Sequence, residues 1–327
     1  MNRFGLTFSL FAAFASLACS SSSGGSSDGP SNSQDACSAL AASLCTKVSA
    51  CGSASFLAYY GTQDACVASI TNTCKTTAGL ASTGATSDVI NACKTAYDGA
   101  SCVDVRFNED LCPPIKGSLT PGSTCADDGQ CDSGICKGGG SSTCGVCIAP
   151  AAPGGSCKDL PCPIGFYCNS GSICTGRLAA GGSCKSTNEC KGATTCVIAP
   201  DGTGTCATPP QHGPGEACAN SNECDAAQNL TCAMSTGGKG ICTKVTVVNP
   251  GDVCDAGSGI STLCAGGTCQ PTTGGKLVCA KFAADGAACG GMNASCGPGL
   301  KCTTPAGAGG NSGGAGVCKA PTPLVCN

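Results

Sequence analysis

Tryptophan is absent from this 327-residue chain, and all aromatic residues together make up 4% of it. Four of the eight phenylalanines, Phe4, Phe8, Phe11 and Phe14, fall near the start, leaving Phe56, Phe107, Phe166, Phe282 and four tyrosines for everything else. A segment of about thirty residues with one ring cannot bury enough surface to offset a backbone ordering cost of roughly 1 to 2 kcal/mol per residue. An ordinary hydrophobic core is therefore excluded for most of the chain. Histidine occurs once, as His212 in "TPPQHGPGEAC". Nucleophilic catalysis of the Ser/His/Asp or Cys/His kind needs an imidazole held rigidly, and Pro and Gly on both sides make this segment an inter-repeat linker. Charge is scarce too: 17 basic against 20 acidic residues give a net charge of -3, with no basic run. That excludes a nucleic-acid footprint, and the missing tryptophan weakens a sugar-binding reading.

What the chain does have is cysteine: 35, with 50 glycines and 18 prolines. Gly and Pro at this level mark turns rather than long elements. In "GGSCKSTNECKGATTC", Gly181 to Cys196, three cysteines sit among small polar residues with almost nothing apolar between them. Closing a loop of about 15 residues with a disulfide is worth roughly 3 kcal/mol in the chain-entropy model. The stretch reads as a stapled coil, which requires an oxidising compartment.

The N-terminus agrees. "MNRFGLTFSLFAAFASLAC" places Arg3 before an apolar run from Phe4 to Ala18, too short to span a bilayer comfortably and suited to a signal peptide. Ser16-Leu17-Ala18-Cys19 resembles the lipobox of bacterial lipoproteins, whose cysteine becomes the lipid-bearing first residue of the mature chain. That family prefers Leu where Ser16 stands and a small residue where Leu17 stands, and Ser-Leu-Ala also suits an ordinary signal peptidase. The Ser/Gly-rich segment that follows, up to Ala36, has a reach of roughly 20 to 25 Å and fits a tether. Parity points the same way: setting Cys19 aside from an odd total leaves an even number able to pair. Ser20 after the cysteine resembles an outer-membrane sorting signal. The resemblance implies a bacterial protein held to the outer membrane or cell surface by a lipid; the alternative is a secreted, soluble chain.

Residues 1–18 are thus read as signal peptide, 19–36 as lipidated cysteine and tether, and 37–112 as a helical cysteine-rich domain. In that domain "DACSALAASLCTKVSAC", "TQDACVASITNTCKT" and "SDVINACKTAYDGASC" are Ala-rich, with Asp35, Thr62 and Ser87 at N-cap positions. Cys37 and Cys45, like Cys66 and Cys74, lie eight apart and so share a helix face. The expectation is a small bundle of three or four helices cross-linked by Cys37, Cys45, Cys51, Cys66, Cys74, Cys93, Cys102 and Cys112; irregular disulfide loops are the alternative.

From Cys125 the chain repeats itself. Units open "PGSTC", "PGGSC", "AGGSC", "GPGEAC", "NPGDVC" and "ADGAAC", and fall at 113–147, 148–174, 175–206, 207–242, 243–279 and 280–327. Their cysteines are Cys125, Cys131, Cys136 and Cys144; Cys157, Cys162, Cys168 and Cys174; Cys184, Cys190, Cys196 and Cys206; Cys218, Cys224, Cys232 and Cys242; Cys254, Cys264, Cys269 and Cys279; and Cys289, Cys296, Cys302 and Cys318. Cys147 and Cys326 are left over, to pair with each other or with neighbours. Four cysteines allow three pairings per unit, and the sequence does not choose. "TTPAGAGGNSGGAGV" lengthens the last gap of the final unit.

Cys125 to Cys174, above all its closing C-P-x-x-x-Y-C-x-x-G-x-x-C, resembles the N-terminal cysteine-rich domain of Dickkopf proteins, secreted antagonists of Wnt signalling. Similar repeats recur in secreted bacterial lipoproteins. Pro161-Cys162 replaces the cysteine doublet of the Dickkopf pattern, so one bridge of that framework must be missing or rerouted. The resemblance implies a scaffold and a binding role rather than a pathway.

Candidates for chemistry are few. Asp127 with Asp128, and Glu109 with Asp110, are adjacent acids of the kind that are usually solvated. Cys144-Gly145-Val146-Cys147 has zinc-ligand spacing but no matching second pair, and Asp127, Asp128 and Asp132 do not fit a calcium loop. "NLT" at Asn229 and "NAS" at Asn293 match the glycosylation sequon. The expected protein consists of small disulfide-rich modules in tandem, with few short strands and mostly loops, preceded by a small disulfide-linked α-helical domain. It has no catalytic residues, metal or cofactor. Its partners are the membrane, through the lipid, and an unknown protein or envelope component. Inhibition or regulation of secreted enzymes, and extracellular metal binding, are the alternatives.

Overall fold

A computed structural model describes residues 30–108, 111–139, 143–199, 201–234, 240–254, 262–272, 274–290, 295–303, 316–322 and 324–326. Cys19 with the signal peptide, most of the tether, Glu109, Asp110, Asn293 and most of the insertion in the last unit lie outside them. The chain forms two compact units: one contains Thr77–Thr208 and Pro323–Asn327, the other Cys37–Thr76 and Pro209–Thr322.

Among the described residues five helices come first: α1 (Pro30–Cys51), α2 (Ser53–Tyr60), α3 (Gln63–Ala78), α4 (Ser87–Gly99) and α5 (Cys102–Phe107). The three Ala-rich segments are α1, α3 and α4, so the expected three or four helices become five by the addition of short α2 and α5. Thr62 caps α3, its hydroxyl accepting from the Ala65 N–H at 3.1 Å. The other two expected caps differ. Asp35 lies within α1, which already starts at Pro30, and Ser87 is the first residue of α4, whose cap is Thr86, accepting from the Val89 N–H. α5 is closed by a reciprocal box: the Asp104 N–H donates to the Ser101 hydroxyl at 3.1 Å and the Ser101 N–H to the Asp104 carboxylate at 3.0 Å.

The eight-residue spacing becomes a ladder. Cys37 pairs with Cys74 and Cys45 with Cys66; as one number rises the other falls, so α1 and α3 run antiparallel. Along the same stripe α1 buries Leu40, Ala41 and Leu44, and α3 buries Ile70. Cys93 pairs with Cys112, and Cys51 and Cys102 are disulfide-bonded as well.

All six repeat modules share one connectivity, first cysteine to third and second to fourth. The pairs are Cys125–Cys136 and Cys131–Cys147, Cys157–Cys168 and Cys162–Cys174, Cys184–Cys196 and Cys190–Cys206. They continue as Cys218–Cys232 and Cys224–Cys242, Cys254–Cys269 and Cys264–Cys279, Cys289–Cys302 and Cys296–Cys318. Cysteine also makes the interior: among the described residues, apart from Leu40, every one of the largest fully buried side chains is a cysteine. Each core adds at most a little aliphatic carbon, such as Leu119 in module 1, Leu178 in module 3 and Leu230 in module 4.

Backbone hydrogen bonds repeat as faithfully as the bridges. The glycine three residues before each first cysteine, Gly122, Gly154, Gly181, Gly215, Gly251 or Gly286, has positive φ, a conformation open to glycine at little cost. Its N–H donates to the fourth cysteine's carbonyl at 2.8 to 2.9 Å. The fourth cysteine's N–H in turn donates to the carbonyl of the residue after that glycine, again at 2.8 to 2.9 Å. Six residues before the first cysteine, the chain pairs in parallel with the second: Leu119 with Cys131, Leu178 with Cys190, His212 with Cys224, Ala283 with Cys296, and Val248 with Cys264. In module 2 the Ala151 N–H donates to the Pro161 carbonyl at the equivalent place.

The first module corrects one expectation. Cys144, not Cys147, is the extra cysteine; it pairs with Cys326, 182 residues away in sequence, while Cys147 is the module's fourth. The reason is steric. Gly145, Gly204, Gly240 and Gly316 lie two residues before their fourth cysteines and face the first cysteines across the strands, as Cys125↔Gly145, Cys184↔Gly204, Cys218↔Gly240 and Cys289↔Gly316. A Cβ would overlap the third cysteine's sulfur at Gly204, Gly240 and Gly316, and backbone at Gly145. In these four modules a glycine thus stands two residues before the fourth cysteine, and of Cys144 and Cys147 only Cys147 has one, Cys144 being preceded there by Ser142.

Candidate binding surface

The third and fourth cysteines face each other across antiparallel strands, in register as Cys136↔Cys147, Cys168↔Cys174, Cys196↔Cys206, Cys232↔Cys242, Cys269↔Cys279 and Cys302↔Cys318. Neither bonds the other; both reach back to the first half of the module. The hairpin between them is therefore clamped at its base, and in module 1 it carries the further bridge Cys144–Cys326. Tips differ from module to module: "NSGSI" in module 2, "VIAPDGTGT" in module 3, "QPTTGGKLV" in module 5.

Local hydrogen bonds shape the tips. Asn169 Oδ1 accepts from the N–H groups of Gly171 and Ile173 at 2.9 and 3.0 Å. Asp201 accepts from the Thr203 hydroxyl at 2.7 Å and its N–H at 2.9 Å, which holds the Asp201 carboxyl below the usual aspartate range. In module 5 the Thr272 N–H donates to the Lys276 carbonyl at 2.8 Å. Loops fixed in this way lose little freedom when they dock. Beside each tip, the residue before the fourth cysteine is β-branched: Val146, Ile173, Thr205, Ile241, Val278 and Val317. Val146, Ile173, Ile241 and Val317 are exposed, Ile241 at 50%. Modules 1, 2, 4 and 6 thus each expose an aliphatic side chain beside the fourth cysteine.

Five of the residues singled out for chemistry, His212, Asp127, Asp128, Cys144 and Cys147, make structural contacts. His212 occupies the pairing position filled by leucine in modules 1 and 3; its N–H donates to the Glu223 carbonyl at 2.6 Å, and its Nδ1 lies 3.3 Å from the Glu216 carboxylate. Asp127 accepts from the Gly129 N–H at 2.9 Å, capping a single turn of 3₁₀ helix at Asp128–Gln130. Asp128 accepts from the Cys136 N–H at 2.6 Å; partial burial of its carboxyl raises its pKa, the Cys136 N–H opposes this, and the charge of Asp127 adds to the rise. Cys144 and Cys147 belong to different bridges. Three cysteine sulfurs lie within 4.8 Å of one another in each of modules 1, 2, 3, 4 and 6, but all are disulfide-bonded, whereas a metal requires thiolates.

Two features escaped the sequence reading. In modules 1, 3 and 4 the residue before the second cysteine folds back onto the N–H after the first: Gln130 onto Ala126 at 2.7 Å, Glu189 onto Lys185 at 3.2 Å and Glu223 onto Ala219 at 2.7 Å. The repeated Gln/Glu-Cys pair was the available signal. Gln130 departs from Glu for a reason: it is buried, and its amide nitrogen donates to the Ala81 carbonyl at 2.8 Å, which a carboxylate could not do. The second feature concerns the sequon at Asn229. Its Oδ1 accepts from the Ala54 N–H at 2.7 Å and the Ser53 hydroxyl at 2.9 Å. Helix α2 begins after Gly52, which has no side chain to cap it, and Asn229 supplies the cap from module 4.

Every described cysteine is disulfide-bonded, which places the chain in an oxidising compartment outside the cytoplasm. Among the described residues no helix is long and apolar enough to cross a membrane. No protein-family model, no curated protein and no solved structure matches the chain.

Proposed function

We propose that this is a non-enzymatic, lipid-anchored surface protein that binds another protein or an envelope component through the hairpin tips of its modules. The observation that carries the reading is the contrast inside each module: the bridges and the glycine-to-cysteine hydrogen bonds recur six times, while the tips they clamp differ. A fixed frame with varied loops is the arrangement in which binding residues are presented. Several weakly binding tips on one chain gain affinity by acting together. Cys19 carries the lipid in this reading, leaving the even set of cysteines to pair.

Two measurements test it. Intact mass of the mature protein gives a lipid-modified Cys19 at the first position; an unmodified chain cut elsewhere refutes the anchor. For binding, a soluble form starting after Cys19 is added to isolated cell envelopes. Saturable binding that falls when the tips at 199–203 and 272–276 are replaced together by Gly/Ser turns of equal length supports the reading. No saturable binding, or binding indifferent to the tips, overturns it.

A further inference from the structure

We infer that the Cys144–Cys326 bridge is a reducible clasp, opened by an extracytoplasmic dithiol while all six modules stay intact. Each module already has its own two bridges without these cysteines, with sequence separations from 11 to 22, whereas Cys144–Cys326 spans 182. Opening it therefore removes no cross-link from any module core. Access favours it as well. Cys144 is exposed and Cys326 only partly buried, while the fourth cysteine of every module is buried. Cys144 precedes the strand Gly145–Cys147, and residues 324–326 belong to no helix or strand, so neither cysteine is held by a ladder of its own.

The chemistry balances as an exchange. A thiolate of the dithiol attacks the exposed Cys144 sulfur, forming a mixed disulfide and expelling Cys326 as a thiolate, which takes up a proton. The second thiol of the reductant, as its thiolate, attacks its own sulfur in the mixed disulfide and releases Cys144, which is protonated in turn. The dithiol leaves as a disulfide, and two electrons and two protons have passed to the protein. The product keeps its modules and carries two free thiols, Cys144 and Cys326. Cys302 is exposed as well, but its partner Cys289 is fully buried; the nearest rival is Cys157–Cys168, whose Cys168 is exposed and whose Cys157 is only partly buried. That bridge joins residues 11 apart within a module already held by Cys162–Cys174, so it re-forms readily after attack.

The test uses the full oxidised chain, titrated with dithiothreitol, quenched with an alkylating agent at each step and mapped by peptide mass. Cys144 and Cys326 are expected to reach half-labelling at a dithiol concentration about tenfold below that of any module cysteine, with the protease-resistant module fragments unchanged. Labelling of Cys157 and Cys168, or of any other module pair, at the same or lower concentration overturns the inference. So does a Cys144→Ser/Cys326→Ser chain whose modules lose their protease resistance, because the bridge would then be structural.

Discussion

The α1–α3 hairpin and the module between Cys218 and Cys242 each carry two bridges, yet sulfur does different work in them. In the hairpin, each helix satisfies its own backbone and the bridges Cys37–Cys74 and Cys45–Cys66 flank a buried stripe that includes Leu40, Ala41 and Leu44. In the module, the backbone bonds join segments distant in sequence, and Leu230 is the one buried side chain in the cluster that is not cysteine. Cross-links there replace a hydrophobic interior; in the hairpin they reinforce one.

The largest expected effect breaks that comparison directly. Replacing Cys224 and Cys242 together by alanine costs about 2 to 5 kcal/mol and abolishes amide-exchange protection across the strands Leu230–Met234 and Gly240–Lys244. Replacing Cys45 and Cys66 together is expected to leave slow exchange in the centre of α1. Equal loss of protection in both variants would erase the distinction. Next comes Gly240→Ala, whose methyl would overlap the Cys232 sulfur; over-packing of this kind costs about 1 to 3 kcal/mol, read as faster exchange in module 4. Gly99→Ala, at the end of α4 with open space around it, serves as the counter-case and stabilises by up to about 1 kcal/mol.

A third change sharpens the link between helix and module. Asn229 has a left-handed backbone, φ 58°, so Asn229→Gly keeps the conformation and deletes only the cap. A loss of about 1 kcal/mol, seen as faster exchange at Ala54 while the strands of module 4 are unchanged, is the expected result. The smallest effect is electrostatic. Burial raises the Asp128 pKa above that of the unfolded chain, so the stability it contributes is present below the unfolded value and is lost as pH rises through the folded one. Asp128→Asn keeps an acceptor for the Cys136 N–H and removes the charge. The variant is expected to show less decline in module 1 protection across the weakly acidic range than the parent does; an identical decline would show that Asp128 does not govern it.

What could be read in advance follows from the range of the interactions. The spacing of Cys37, Cys45, Cys66 and Cys74 announces a shared face because helical periodicity is local, and the glycine turns announce the modules because each turn needs its own residue. Pairing of the cysteines was not legible from counting; Gly145, Gly204, Gly240 and Gly316 point only to the fourth cysteine of four modules, because their spacing to it records a steric clash that becomes visible once the strands are paired. Asp35 misled as a cap because an Ala-rich run gives no sign of how far a helix extends before it. The roles of Gln130 and Asn229 depend on Ala81 and Ala54, partners 49 and 175 residues away, which no local pattern encodes.

Asn229 also sets a timetable. A chain exported from its N-terminus delivers Ser53 to the oxidising side 176 residues before the side chain that caps it arrives. Helix α2 must wait through the emergence of three whole modules with its first turn unsatisfied, and any product truncated before module 4 carries that defect permanently. Arrival of module 4 is thereby registered at helix α2, which a protease or chaperone meets before any of the modules.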